Sequence, residues 1–318
     1  MWWILGAAVL ILLGAALYLG STLSRNGPVL LSALDRVAGG SGGAKPLARI
    51  ATGEHGSQRL HVWGPDTTHA KSEKRPVIVF VHGGGWRSGD PDGYGFVGRA
   101  FVPEGFVVVN AGYRLGKDGA YPAMLEDTAS AIAWTHENIA EYGGDPDRIV
   151  LAGHSAGAYN VVQVALEDRW LAAHGLSGVD IAGVIGLAGP YDFAPFDSDS
   201  TIAAFGHSDD PPATQPINHV RADAPPMLLV NGQEDTLVGA RNARVLASAL
   251  TEAGAEARTV LPAGMGHNGP IIALAAPWRD RGALFGTMVD FARAVTDPGA
   301  RAGERAGALS VPVQAETR

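Results

Sequence analysis

The sequence predicts an α/β fold with a mostly parallel central sheet and helices on both faces. Three observations carry this. Short apolar runs recur along most of the chain. Segments with helical spacing separate them, as crossovers between parallel strands require. Several runs are apolar without a break, such as Val77 to Val81 (V-I-V-F-V) and Phe106 to Asn110 (F-V-V-V-N). Unbroken runs mark strands buried on both faces, whereas a half-exposed strand would alternate.

Taken in order, Arg59 to Gly64 alternates as a first strand, and the runs at 77–81 and 106–110 follow. Tyr121 to Tyr142 has helical spacing through Met124, Leu125, Ala129, Ile132, Ala133 and Ile139. A strand at Ile149 to Ala152 leads through a sharp turn into a helix from Ala156. Further strands are expected at Ile181 to Leu187, Met227 to Val230 and Ala257 to Leu261, and helices at Ala240 to Ala253 and Arg281 to Val295. These elements make residues 48–296 one catalytic domain, a size that buries a substantial core. Between Asp192 and Asp223 the alternation stops: Pro and Asp are frequent, and Phe193, Phe196 and Phe205 are scattered among them. A long irregular stretch in a compact domain is read as a lid or substrate wall. Its D-S-D-S and D-D-P-P runs lack the glycine and final glutamate of a calcium loop. Residues 297–318 are small, polar and aperiodic, and read as a disordered tail.

The N-terminus differs from the rest. Trp2 to Gly20 is nineteen residues without a charge. As a helix it would be about 28 Å long, close to the hydrocarbon thickness of a bilayer. No Lys or Arg precedes it and no A-x-A-like exit follows it, so residues 1–24 read as a membrane anchor before a cleaved signal peptide or a buried helix. Arg25 and Arg36 would favour a cytoplasmic domain, but two charges do not fix the side. Residues 25–47, with an amphipathic stretch at Val29 to Val37 and the run G-G-S-G-G-A-K-P, are expected to be a linker.

Composition narrows the chemistry. A net charge of −8 and the lack of any Lys/Arg stripe exclude a nucleic-acid partner. With no cysteine there is no disulfide, no thiolate chemistry and no Cys-bound zinc. No metal and no organic cofactor is called for, and the sequence is silent on oligomeric state.

The chemistry centres on Ser155 in G-H-S-A-G, between the strand at Ile149 and the helix at Ala156. A strand–turn–helix with serine at its apex holds a hydroxyl where a base can reach it. The five letters alone are weak, because Gly39 to Gly43 (G-G-S-G-G) matches the same pattern without a strand before it or a helix after it. Context decides. His82-Gly83-Gly84-Gly85-Trp86 follows the V-I-V-F-V strand, and consecutive glycines let backbone N–H groups face a developing oxyanion. A phosphate cradle would need Gly-Lys-Ser/Thr, which is missing. Ala156 N–H, just after the serine, is the second source of donors.

Of the histidines downstream of Ser155, His174 sits in a polar helix end, and His207 and His219 in the irregular stretch. His267 alone follows a late strand in a flexible loop, G-M-G-H-N-G, and is the candidate base. The loop after Met227 to Asn231 offers Asp235 as the acid that orients it, with Glu234 as fallback. The order Ser155, Asp235, His267 is that of α/β-hydrolases and not of the chymotrypsin or subtilisin folds.

H-G-G-G-W, the Y-R-L of Tyr113 to Leu115, the run D-P-D-R-I-V-L-A-G-H-S-A-G and the G-x-x-D and G-H loops resemble the esterase/lipase group of the α/β-hydrolases, in its hormone-sensitive-lipase-like and carboxylesterase branch. The resemblance covers about residues 55–295. It implies an α/β-hydrolase fold, a Ser155–His267–Asp235 triad and an oxyanion hole from Gly84, Gly85 and Ala156, with Gly83 the less favoured donor. It also implies a small-molecule ester as substrate. The serine motif departs from the branch's usual G-D-S-A-G-G: with His154 and Ala158 it is closer to kynurenine formamidase-like and prenylcysteine-methylesterase-like relatives. An aryl-formamidase or other amide hydrolase on the same triad is therefore the alternative, and a non-catalytic binding protein of this fold is a further one.

Overall fold

The computed structural model describes residues 27–39, 42–66, 74–279 and 283–297. Eight strands form one sheet: β1 (Ala44–Ala51), β2 (Arg59–Pro65), β3 (Arg75–Val81), β4 (Val107–Ala111), β5 (Gly144–His154), β6 (Ile181–Leu187), β7 (Met227–Val230) and β8 (Ala257–Val260). Their spatial order is β1-β2-β4-β3-β5-β6-β7-β8. The β1–β2 and β2–β4 pairs are antiparallel, and every later pair is parallel. The helices are α1 (27–37), α2 (Gly95–Phe101), α3 (Ala123–Asn138), α4 (Ala156–Leu166), α5 (Arg169–Ala172), α6 (Asp199–Phe205), α7 (Arg241–Ala253), α8 (Gly269–Ile272) and α9 (Ala283–Thr296).

The unbroken apolar strands feed two cores at once, because successive side chains point to opposite faces. Val77, Val79 and Val81 of β3 pack with Leu125 and Ile132 of α3, Val161 of α4 and Leu246 of α7. Ile78 and Phe80 of the same strand pack on the other face with Phe101 of α2 and Met288 and Phe291 of α9. Both faces are covered, so the C-terminal edge of the parallel strands is where loops are free to build a site. The loops carrying Gly83, Ser155, Asp235 and His267 follow β3, β5, β7 and β8, and all open on that edge.

The segment expected to be a linker at 25–47 needs correcting. Residues 27–37 form a helix docked on the domain, and the first strand begins at Ala44, not after 47. The anchor of α1 is Asp35, fully buried against Arg99 and Arg279. Asp35 Oδ1 also accepts from Ala276 N–H at 2.8 Å. A lone carboxylate among apolar residues gives no hint of arginines 64 and 244 positions away. β1 is an edge strand with most of its residues at least partly exposed, so its sequence lacks the apolar signal of the inner strands.

Among the described residues no helix is long and apolar enough to cross a membrane. The stretch Trp2 to Gly20 lies outside the described residues, as do Ser41 of the second G-x-S-x-G match and residues 298–318 of the tail.

The irregular region 192–223 holds the short helix α6 and two 3-10 turns, and it is tied down. Gln215 Oε1 accepts from the N–H groups of Phe193 and Ala194, and the Tyr159 hydroxyl of α4 donates to Thr214 O. Phe193, Phe196 and Phe205 cluster with Trp86 and Tyr159, with Trp86 and Phe205 ring centroids 4.9 Å apart.

Candidate active site

Ser155 has φ 53 and ψ −120, a conformation costly for any residue with a Cβ. Neighbouring strands and the helix hold it there. Its N–H donates to Leu187 O of β6 at 2.8 Å, and its carbonyl accepts from Tyr159 N–H of α4 at 3.1 Å. The turn also needs α4 pressed against β3, and a Cβ at Gly157 would lie 2.1 Å from Val81 O. The two glycines of G-H-S-A-G are thus fixed by space: a Cβ at Gly153 would meet Gly157 O at 2.4 Å.

The structure brings the three sequence-selected side chains together. His267 Nε2 lies 2.9 Å from Ser155 Oγ, and His267 Nδ1 lies 2.8 Å from Asp235 Oδ2. The Asp235 side chain is fully buried. Its Oδ1 accepts from Leu237 and Val238 N–H at 2.9 and 2.8 Å, and Asn231 Nδ2 donates to Oδ2 at 3.3 Å. These donors fix the carboxylate, whose oxygen faces Nδ1 of the imidazole as an acceptor and leaves Nε2 to present its lone pair to the serine. Glu234 does not share this role: its side chain is exposed, and its backbone N–H donates to Met265 O. His174, His207 and His219 stand apart, the last two bonded to the carbonyls of Tyr121 and Ala213.

The glycine loop is aimed by what its carbonyls do. Gly83 O accepts from His82 Nδ1 at 2.8 Å. Gly84 O accepts from Arg87 and Ser88 N–H at 3.1 Å each. A trans peptide points its C=O and N–H in opposite directions. Tying back the carbonyls of residues 83 and 84 therefore turns the N–H groups of Gly84 and Gly85 the other way. Neither N–H donates to another backbone group among the described residues. Gly84 at φ +125 is a conformation open only to glycine in practice. Ala156 opens α4, so its N–H is one of the helix's free first-turn donors.

The residues that tie the loop back were not singled out from the sequence. His82 is stacked between Tyr94 and Tyr113, with ring centroids 5.8 and 4.7 Å away. Burial pushes the His82 pKa down to about 4, so the ring is neutral and donates through Nδ1. Burial pushes both tyrosine pKa values up, so Tyr94 and Tyr113 remain protonated, and Tyr113 donates to His82 O at 3.1 Å. Arg114, beside Tyr113, is clamped by Asp127 through Nε and Nη2, each at 2.8 Å. The Y-R-L letters of the family resemblance were the available signal for this support.

Over the loop lies α6. A Cβ on Gly85 would stand 3.5 Å from Ser200 Cβ, in ordinary contact. The aromatic cluster of Trp86, Phe193, Phe196 and Phe205 continues from there as an apolar wall. Among the described residues no group of acidic, His or Cys side chains could hold a metal ion.

The BD-FAE family model matches residues 65–250, more than half of the chain. Esterase LipQ of Mycobacterium tuberculosis is 31% identical over 273 residues, covering 79% of this chain and 62% of that protein. A probable isoprenylcysteine alpha-carbonyl methylesterase of Arabidopsis thaliana, ICMEL1, is 28% identical over 242 residues, covering 69% and 50%. The chain thus spans less than two thirds of the length of these curated relatives. Among solved structures, esterase B from Lactobacillus rhamnosis has the same fold, with a TM-score of 0.71 at 18% identity over 85% of this chain and 93% of that one. With the fold shared and the family match running from the end of β2 to within α7, the chain belongs to the BD-FAE family of esterase-type α/β-hydrolases.

Proposed function

We propose that the protein is a serine hydrolase of small to medium carboxylic esters, with Ser155 as nucleophile, His267 as general base and Asp235 as the acid that orients it. The observation that carries this reading is the unbroken contact line from Asp235 Oδ2 to His267 Nδ1 and from His267 Nε2 to Ser155 Oγ. Ser155 Oγ attacks the ester carbonyl carbon while its proton passes to His267 Nε2. The carbonyl oxygen becomes an oxyanion facing the N–H groups of Gly84, Gly85 and Ala156, each such donor contributing about 3 kcal/mol to transition-state stabilisation. The intermediate then collapses, the ester C–O bond breaks, and the departing alkoxide takes the proton from Nε2. Water, deprotonated by the same imidazole, releases the acid and restores Ser155. No step calls for a metal or an organic cofactor.

Ester bonds are favoured over formamides by the relatives' names, which are those of esterases. The aromatic wall from Trp86 to Phe205 suits an apolar acyl or alcohol group of limited size. Labelling with a fluorophosphonate probe tests the nucleophile: wild type is expected to take the label and Ser155→Ala to take none. Wild-type protein that stays unlabelled would sink the mechanism. Parallel assays on p-nitrophenyl esters of graded acyl length and on N-formylkynurenine test the substrate class, with turnover expected on short esters and little on the formamide.

The same reading extends to location. The charge-free run Trp2 to Gly20 would anchor the domain to a membrane, the side being open. Carbonate extraction of the full chain checks it, since an anchored protein stays with the membrane pellet.

A further inference from the structure

His154 ends β5 and precedes the nucleophile, where its ring is almost wholly buried. It is wedged between the two loops that serve Ser155. On one side a Cβ at Gly83 would come within 3.0 Å of His154 Nδ1 and 2.8 Å of His154 O, so the glycine loop lies flat on it. On the other side the ring is tilted against that of His267, with centroids 5.1 Å apart. His154 Nε2 lies 3.1 Å from the backbone carbonyl of His267 itself.

A carbonyl oxygen only accepts, so Nε2 of His154 carries the hydrogen and donates. In a neutral ring this fixes the tautomer and leaves Nδ1 unprotonated beside Gly83. Burial and the neighbouring His267 both hold the His154 pKa down, to about 4, so the ring is neutral when the site is at work. Neutrality matters because His267 becomes cationic as it takes the serine proton, and a second cation 5 Å away would oppose that step.

We propose that His154 is a positioning residue, whose Nε2–H grips the backbone carbonyl of His267 and keeps the base imidazole within reach of Ser155. The nucleophile strand thereby fixes the base loop directly. His267 is otherwise carried on the loop between β8 and α8, which has Gly264, Gly266 and Gly269 around it and no regular structure of its own. The proposal rests on the assignment of Ser155 and His267 made above.

Two neutral amides separate the grip from mere filling of space. The side-chain nitrogen of glutamine can overlay Nε2 of histidine, whereas that of asparagine stops near Nδ1 and falls short of the His267 carbonyl. In the full chain, with p-nitrophenyl acetate as substrate, His154→Gln is expected to keep kcat within about threefold of wild type. His154→Asn is expected to lose about tenfold or more in kcat, with KM little changed, as displaced catalytic groups do. Equal kcat for the two variants, whether both high or both low, overturns the proposal. Should His154→Asn fail to fold, nitrogen-15 NMR of the wild type decides instead. The expected signature is a neutral Nε2–H ring at about pH 5, and a Nδ1–H tautomer or an imidazolium at that pH overturns it. Ser155→Ala is the separate control: if it keeps full activity the mechanism itself fails, whereas equal His154 variants beside an inactive Ser155→Ala remove only the grip.

Discussion

Asp235 gives one carboxylate oxygen to His267 Nδ1 at 2.8 Å and the other to the N–H groups of Leu237 and Val238. With both oxygens occupied, the carboxylate can neither rotate nor swap partners, and one imidazole tautomer is selected. Asp235→Asn would place an amide where only acceptors serve, and its NH2 group favours the tautomer with the proton on the wrong nitrogen. A loss of about 10⁴ in kcat with KM little changed is expected. Glu234→Gln, one residue away and turned to solvent, is expected to leave kcat unaltered. Steady-state kinetics on one ester decide both, and an inactive Glu234→Gln would reverse the assignment.

The oxyanion donors proposed for the glycine loop are aimed by hydrogen bonds behind that loop. The Tyr113 hydroxyl donates to His82 O and the His82 ring donates to Gly83 O, so Tyr113→Phe removes one tie behind the glycine loop without disturbing the ring packing. A net hydrogen bond of about 1 kcal/mol corresponds to roughly a fivefold loss, expected in kcat rather than KM because the donors act on the transition state. Gly84→Ala is a harsher change. Its Cβ would fall 1.9 Å from Ser88 O, on a backbone at φ +125, and no detectable turnover is expected.

What was legible in the sequence follows from where each signal arises. The inner strands announce themselves because burial on both faces leaves no room for polar residues, and β3, β6 and β7 stand close to where their apolar runs lie. Ser155, Asp235 and His267 were readable because the topology sends loops of successive parallel strands to one edge. Their contacts confirm the geometry, not yet the roles. The support behind them was not readable. Tyr94 stacks on His82 from a turn twelve residues on, and His154 looks like an ordinary variable position of the serine motif until its ring is seen against His267. Such pairings join residues distant in sequence through three-dimensional packing, which neither periodicity nor spacing encodes. The same holds for α1, whose Asp35 is an isolated carboxylate in sequence and the centre of a buried ion cluster in space.

That cluster sets an expectation for stability. Asp35 is fully buried between Arg99, itself almost wholly buried, and Arg279. Asp35→Ala removes the carboxylate that Arg99 and Arg279 share. Breaking one partner out of a buried pair costs about 3–5 kcal/mol. A lower urea midpoint is expected, with kcat of the folded enzyme unchanged because Ser155, Asp235 and His267 lie on other loops. An Asp35→Ala variant as stable as wild type would mean that α1 does not hold to the domain through this contact.

Two buried imidazoles make stability depend on pH in a definite direction. Burial lowers the pKa of both His82 and His154 from 6.5 to about 4. Between these values the unfolded chain takes up a proton at each ring and the native protein does not. The unfolded state therefore binds more protons there, and stability rises with pH. The contribution is complete above about pH 6.5 and is lost as pH falls towards 4, about 3 kcal/mol for each ring. His61, whose pKa burial also lowers, adds in the same direction. Urea midpoints measured at pH 7.5 and 4.5 are expected to differ clearly in wild type and by less in His154→Gln, which has one titrating ring fewer. An equal difference in the two proteins would mean that His154 takes up its proton in the native state as readily as in the unfolded chain, and its ring would then not be buried as a neutral donor.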